Sequence, residues 1–190
     1  KEGALIEDKI VEIVESVDGV LIGPNGIGVL TPTYNGVFTE PIPKMDPHGV
    51  DMISGSGATA VFIIESGIQK GLTFASVFSV GNSAQTGVED VLQYLDESFD
   101  PEKRSKTKIL YLENIKKPQK LSKHAASLIR KGCKIAAVKS GSSDAGSRAA
   151  SSHTGALASS DAAVDALFRK AGIVRCFGRD ELINVACAFM

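Results

Sequence analysis

From residue 49 onward, strand-length apolar runs alternate strictly with helical ones, and few architectures accommodate that pattern. The runs VDMIS (50–54), TFASVFSVG (73–81), TKILYLE (107–113), KIAAVK (134–139) and IVRC (173–176) are short, apolar and partly β-branched, as buried strands are. Each is followed by a segment with helical periodicity: 57–71, 87–98, 118–132, 159–172 and 179–190. Local punctuation agrees. Gly71 stops the first helix, and the third has Pro118 near its start and Gly132 past its end. Parallel strands need crossovers, so five such units predict a parallel sheet with helices on both faces.

The expected fold class is α/β, a flavodoxin-like doubly wound five-stranded sheet over residues 49–190, with strand order 2-1-3-4-5. The segment before it is different. Residues 5–18 place Leu5, Ile6, Ile10, Val11, Ile13 and Val14 at mostly helical spacing, GVLI (19–22) reads as a short strand, and GPNGIGVLTPTYNG (23–36) reads as a loop. One helix and one strand cannot bury a core, so 1–36 is expected to be the end of an upstream domain. Residues 37–48, with Pro41, Pro43 and Pro47, are expected to be an extended linker. The chain does not begin with Met, and its start reads as a cut inside a longer protein.

A formal net charge of -1 offers nucleic acid or an anionic membrane no electrostatic handle. No apolar run approaches the ~20 residues that span a bilayer. Cys133, Cys176 and Cys187 form no C-x-x-C pair and read as buried free thiols in a reducing cytoplasm. With three scattered histidines, no metal site is expected.

Ligands on an open α/β sheet bind beyond the carboxyl ends of the strands, near the point where strand order reverses. Ser54-Gly55-Ser56-Gly57 leaves the first strand and opens a helix, whose N-terminal N–H groups and dipole attract anions such as phosphate. Steric need alone also explains glycine in such a turn. The loose match Gly55-x-Gly57-x-x-Ala60 lacks the acidic residue of a dinucleotide site about 20 positions on, and GPNGIG (23–28) lacks the Lys-Ser/Thr ending of a P-loop. Glu113 ends the third strand. The fourth is followed by SGSSDAGSRAASSHTGALA (140–158), a small-residue loop long enough to suggest function. In it His153, followed by Thr154 and Gly155, has small neighbours that leave room for a phosphoryl group. An imidazole is nucleophilic near neutral pH, and a carboxylate such as Glu113 would orient it. Lys139, Asp144 and Arg148 flank the loop and face either ligand or water. His48 and His124 read as surface residues, the latter on the solvated face of a Lys-rich helix.

KSGSSDAGSRAASSHTGALASSDAAVDALFRKAGIVR (139–175) resembles the phosphohistidine segment of ADP-forming acetyl-CoA synthetases. YLENI (111–115) is similar to that family's Y-L-E-G-I, SGSGA (54–58) to its S-x-S-G-A, and GPNGIGVL (23–30) to the G-P-N-C-x-G that closes its CoA-binding domain. The α subunit of succinyl-CoA synthetase is a more distant likeness. The resemblance implies that His153 is phosphorylated, that Glu113 holds it, and that Ser54, Gly55, Ser56, Gly57, Thr154 and Gly155 cradle the phosphoryl group. It also implies coenzyme A and ADP/ATP or GDP/GTP with Mg²⁺ as substrates, bound mainly by parts outside this chain. An ATP-grasp subunit or fused region, a CoA-binding domain, a small carboxylic acid, a cytoplasmic location and an oligomer follow from the same likeness. Gly26 stands where the family usually has Cys, Asn114 where it has Gly, and GNSAQTGVED (81–90) only partly follows the family's pattern. The alternative is a non-catalytic ligand-binding regulatory module fused to another enzyme such as a protein acetyltransferase. Such modules lose the histidine, whereas His153, Glu113 and the Ser-x-Ser-Gly turn are all present. A flavin-binding flavodoxin fits the fold but not the aromatic residues: there is no Trp.

Overall fold

A computed structural model of the chain describes residues 2–141 and 161–190. Among them are helices α1 (Glu2–Ser16), α2 (Gly57–Gln69), α3 (Val88–Glu97), α4 (Pro118–Arg130), α5 (Asp161–Ala171) and α6 (Arg179–Phe189). The strands are β1 (Gly28–Thr31), β2 (Tyr34–Val37), β3 (Met45–Ser54), β4 (Phe74–Ser79), β5 (Thr107–Leu112), β6 (Lys134–Lys139) and β7 (Val174–Cys176). They form one sheet in the order β2-β1-β4-β3-β5-β6-β7. The five strands β4-β3-β5-β6-β7 are mutually parallel, which is the expected 2-1-3-4-5.

Strand side chains alternate between two cores, one on each face of the sheet. Ile53, Leu110, Leu112, Ile135 and Ala137 pack against Val91, Leu92, Leu121, Leu128, Val164 and Phe168 of α3, α4 and α5. Met52, Ile109, Ala136 and Val138 pack against Ala60, Ile63, Ile64, Leu182, Ile183 and Ala186 of α2 and α6. Both faces are covered, so the parallel strands read as nearly unbroken apolar runs rather than as alternation.

The N-terminal third departs from expectation. Residues 19–22 form no strand, and the segment expected to be a loop contains the hairpin β1–β2. This hairpin adds to the sheet by pairing β1 antiparallel to β4. Its glycines were read as loop signals, but Gly28 is needed for close approach: a Cβ there would lie 1.9 Å from the Gly36 carbonyl oxygen, and its φ is +114°. Nor are residues 45–48 a linker, because β3 begins at Met45. Pro47 lacks a ladder donor, and the pairing of β3 with β4 is irregular between Met45 and Val50, where a proline is tolerated. No helix among the described residues is long and apolar enough to cross a membrane.

Candidate active site

The order of strands reverses between β3 and β5, and the chain leaves both at the same edge. Ser54 ends β3 fully buried. Its Oγ donates to the Ser56 carbonyl at 2.7 Å and accepts the Ser56 N–H at 3.2 Å, which draws the chain into a tight turn. Gly55 N–H donates to the Tyr111 carbonyl at 2.8 Å, and Ser56 caps α2 by accepting the Thr59 N–H at 3.4 Å. No acidic side chain lies in the first turn of α2 itself. The turn lies directly beside the half-buried Glu113: a Cβ on Gly55 would be 3.4 Å from Glu113 N and 3.7 Å from Glu113 Cγ. On the next strand, Ser140 N–H donates to the Leu112 carbonyl at 2.9 Å. Ser54, Gly55, Ser56, Gly57 and Glu113 therefore share one edge with the chain as it leaves β6. His153, Thr154 and Gly155, with Asp144 and Arg148, lie outside the described residues.

Lys139, the last residue of β6, is only 9% exposed. Its Nζ donates to the Ser140 carbonyl at 2.7 Å. Burial pushes its ammonium below the usual lysine range, while the negative charges of Glu113 and Asp161 push it back up.

A second wall comes from residues 21–27, which the sequence reading assigned to another domain. Ile27 N–H donates to Ser79 Oγ at 3.1 Å, Asn82 N–H to the Pro24 carbonyl at 2.8 Å, and Ala84 N–H to the Gly23 carbonyl at 2.9 Å. A Cβ on Gly26 would stand 2.2 Å from the Ser79 carbonyl oxygen, so this backbone path has no room for a cysteine there. Beside this wall opens a cleft of about 550 Å³ lined by Val20, Ile22, Tyr34, Phe38 and Ser79.

The loops after β4 and β5 are tied together by lysines. Lys116 Nζ donates to the Ser83 carbonyl at 2.7 Å, and Lys117 N–H donates to Glu89 Oε1 at 3.0 Å. Lys117 and Lys120 reach Asp90 at 2.8 and 2.6 Å, and Asp90 Oδ2 also accepts the Gly87 N–H at the start of α3. Burial pushes the Asp90 carboxyl up, but these three hydrogen-bond donors outweigh it and hold the group at about 2. A carboxyl depressed in the fold stabilises it above the unfolded-state value and loses that contribution as pH falls. Asp90→Asn is therefore expected to cost at most about 2 kcal/mol near neutrality, the Lys117 side being partly screened. The difference from wild type should shrink between about pH 4 and pH 2 in guanidinium titrations. A constant difference across that window would show that the charge is not what Asp90 contributes.

Two histidine expectations separate. His48 is exposed, on β3. His124 is not on a solvated face: it is 4% exposed, with Nδ1 2.8 Å from Asp96 Oδ2. Lys131 also pairs with Asp96, which joins α3 to α4. Cys133 and Cys176 are free and buried, and burial pushes the Cys176 thiol to about 11.

The profile of the family described as "Succinyl-CoA ligase like flavodoxin domain" matches residues 47–189. The chain belongs to that family. Its domain recurs in ADP-forming ligases. One is the 4-hydroxybutyrate–CoA ligase [ADP-forming] of Nitrosopumilus maritimus, 32% identical over 192 residues that cover 100% of this chain and 27% of the ligase. Another is the acetate–CoA ligase [ADP-forming] II subunit alpha of Pyrococcus furiosus, 33% identical over 100% of this chain and 40% of that subunit. Among solved structures, the Ca. Korarchaeum cryptofilum dinucleotide forming acetyl-coenzyme A synthetase 1, in complex with phosphate and ADP, superposes with a TM-score of 0.86. It is 26% identical and matches 96% of this chain and 39% of its own. The chain thus spans between about a quarter and two-fifths of the length of these proteins.

Proposed function

We propose that this domain carries the phosphohistidine of an NDP-forming acyl-CoA synthetase, an acid–thiol ligase. In this reading His153 relays a phosphoryl group between an acyl phosphate and ADP or GDP. The imidazole nitrogen attacks the phosphorus, the bond to the acyl oxygen breaks, and the carboxylic acid leaves as its anion. Attack by the nucleoside diphosphate then returns a free imidazole. Glu113 holds the ring and supports its positive charge. Ser54, Gly55, Ser56 and Gly57, with Thr154 and Gly155, cradle the phosphoryl oxygens.

The observation that carries this is the meeting of the capped α2 N-terminus with Glu113 at the switch point of the sheet, where β6 also delivers the chain towards His153. A positive helix end and a carboxylate side by side suit an anion on one hand and an imidazolium on the other.

Coenzyme A, the nucleotide and its Mg²⁺ are assigned to a CoA-binding domain and an ATP-grasp region outside this chain, in a cytoplasmic oligomer. The exposed apolar stripe of α1, with Leu5 63% and Ile13 65% exposed, supports a packing partner for that helix outside this chain, as the end of an upstream domain would have.

The test is to incubate the full-length enzyme, with its ATP-grasp part, with γ-labelled ATP and Mg²⁺. The expected product is an acid-labile, base-stable adduct in the peptide that contains His153. An acid-stable phosphoester, or no adduct, would sink this reading.

A further inference from the structure

We propose that the chain hinges at residues 18–20: α1 swings with the domain that packs on its apolar face, while residues 21–38 stay fixed to the parallel sheet as part of this domain. The inference uses the reading above only in giving α1 a domain outside this chain to pack on; it does not depend on the phosphohistidine.

Two sets of contacts meet at this point and do not cross it. On the upstream side, Val17 N–H donates to the Val14 carbonyl at 3.3 Å, Asp18 N–H to the Glu15 carbonyl at 3.1 Å and Gly19 N–H to the Val14 carbonyl at 2.8 Å. The turn that ends α1 therefore bonds back to α1. No hydrogen bond or ion pair joins residues 3–16 to any other described element, and none of their apolar side chains belongs to either core. On the downstream side the contacts begin at once. Leu21 N–H donates to Gln85 Oε1 at 2.6 Å, and the Leu21 carbonyl accepts the Thr86 N–H at 3.3 Å. The bonds of Gly23, Pro24 and Ile27 to Ala84, Asn82 and Ser79 continue the same seam. Gly81 has a φ of +54°, and a Cβ on it would overlap the Pro24 carbonyl oxygen, so the two backbones are in direct contact. Ile22 and Val29 pack on one core, and Ile27 and Leu30 are buried in the other. Opening this seam would expose both cores and unpair β1 from β4, so motion is directed to the residues before it. Those are Asp18, with a left-handed φ of +54°, Gly19, and Val20, which is 75% exposed. A few residues at the end of an element that can absorb a φ/ψ change are what a hinge requires. Val20 also lines the cleft of about 550 Å³, so a swing there changes the width of the cleft without disturbing the sheet.

The test is a pair of spin-label distance measurements by double electron–electron resonance in the full-length protein, with its other accessible cysteines replaced by serine. One pair combines Glu12→Cys on α1 with Lys123→Cys on α4; the other combines Asn35→Cys on β2 with the same Lys123→Cys. All three positions are exposed. The Glu12–Lys123 distribution is expected to be two-peaked, or at least about twice as wide as the Asn35–Lys123 one, which should be single and narrow. Hydrogen exchange supplies the second readout. Amides within α1 should exchange slowly, because the helix is packed on its own domain, while those of residues 18–20 exchange fast. Two equally narrow distributions would overturn the inference, since α1 would then be rigid with the sheet. Two equally broad ones would also overturn it, since residues 21–38 would then travel with α1. Fast exchange throughout α1 would mean that the helix frays and carries no domain, which removes the hinge as well. None of these results bears on the labelling of His153, so failure of the hinge and failure of the phosphohistidine reading are told apart.

Discussion

His153→Ala in the full-length enzyme is expected to take up no label from γ-labelled ATP and to interconvert acid and acyl-CoA at background rate. Serines are the remaining hydroxyl nucleophiles in the Ser54–Gly57 turn, and Ser54 Oγ is already engaged with Ser56. A phosphoserine would in any case lack the transfer potential to regenerate ATP, whereas a phosphoramidate keeps it. Glu113→Gln should retain the nucleophile but lose its support. The amide cannot stabilise an imidazolium by charge, and it can select the wrong tautomer. Orienting carboxylates of this kind are worth up to ~10⁴-fold in rate in other histidine-based catalysts, so labelling should be slowed by orders of magnitude but not abolished. The comparison is made in rapid-quench labelling with both variants folded. Undiminished labelling of His153→Ala would make the regulatory ligand-binding module the better reading.

Asp51→Ala is expected to be the most damaging single change to the fold. Asp51, Ser76 and Lys108 stand in register on β3, β4 and β5, on the face that α3 and α4 cover. Lys108, 1% exposed, donates from Nζ to Asp51 Oδ2 at 2.6 Å and to the Ser105 carbonyl at 2.5 Å, and lies over the Phe99 ring at 5.4 Å. Ser76 Oγ donates to the other Asp51 oxygen. Removing the carboxylate leaves a desolvated ammonium without its counter-charge, which costs ~3–5 kcal/mol where a buried pair is broken from one side. Replacing both partners by apolar residues of similar volume removes the stranded charge as well. Lys108→Met with Asp51→Val should therefore lose less than Asp51→Ala alone. Guanidinium unfolding of the chain measures both. A double variant worse than the single one would mean that the pair contributes net stability, against this expectation.

Both results depend on how locally a feature is written. The five strand–helix units were legible because apolar periodicity and glycine or proline punctuation are properties of ten to fifteen consecutive residues. The Ser54–Gly57 turn and Glu113 were legible because each follows directly on such a unit. Strand order placed them at one edge, and the observed order agrees. His124 was misjudged for the opposite reason. Lys117, Lys120 and Lys123 come just before it in sequence, but its partner Asp96 lies 28 residues away on α3.

The sequence by itself determined the α/β class, the alternation from residue 49 and the residue types at the carboxyl edge, all set by local periodicity and backbone propensity. Only the tertiary structure decided which segments became strands at the margin. GVLI (19–22) is apolar enough for a strand but pairs with no edge, while the glycine-rich 28–37 forms a hairpin because the outer edge of β4 is open to it. A strand is completed by hydrogen bonds to another segment, and a buried charge is made tolerable by a partner. Asp51 and Lys108 are 57 residues apart in the chain and adjacent in the sheet. No window of sequence contains both members of such a pair, so their placement was decided when the strands aligned.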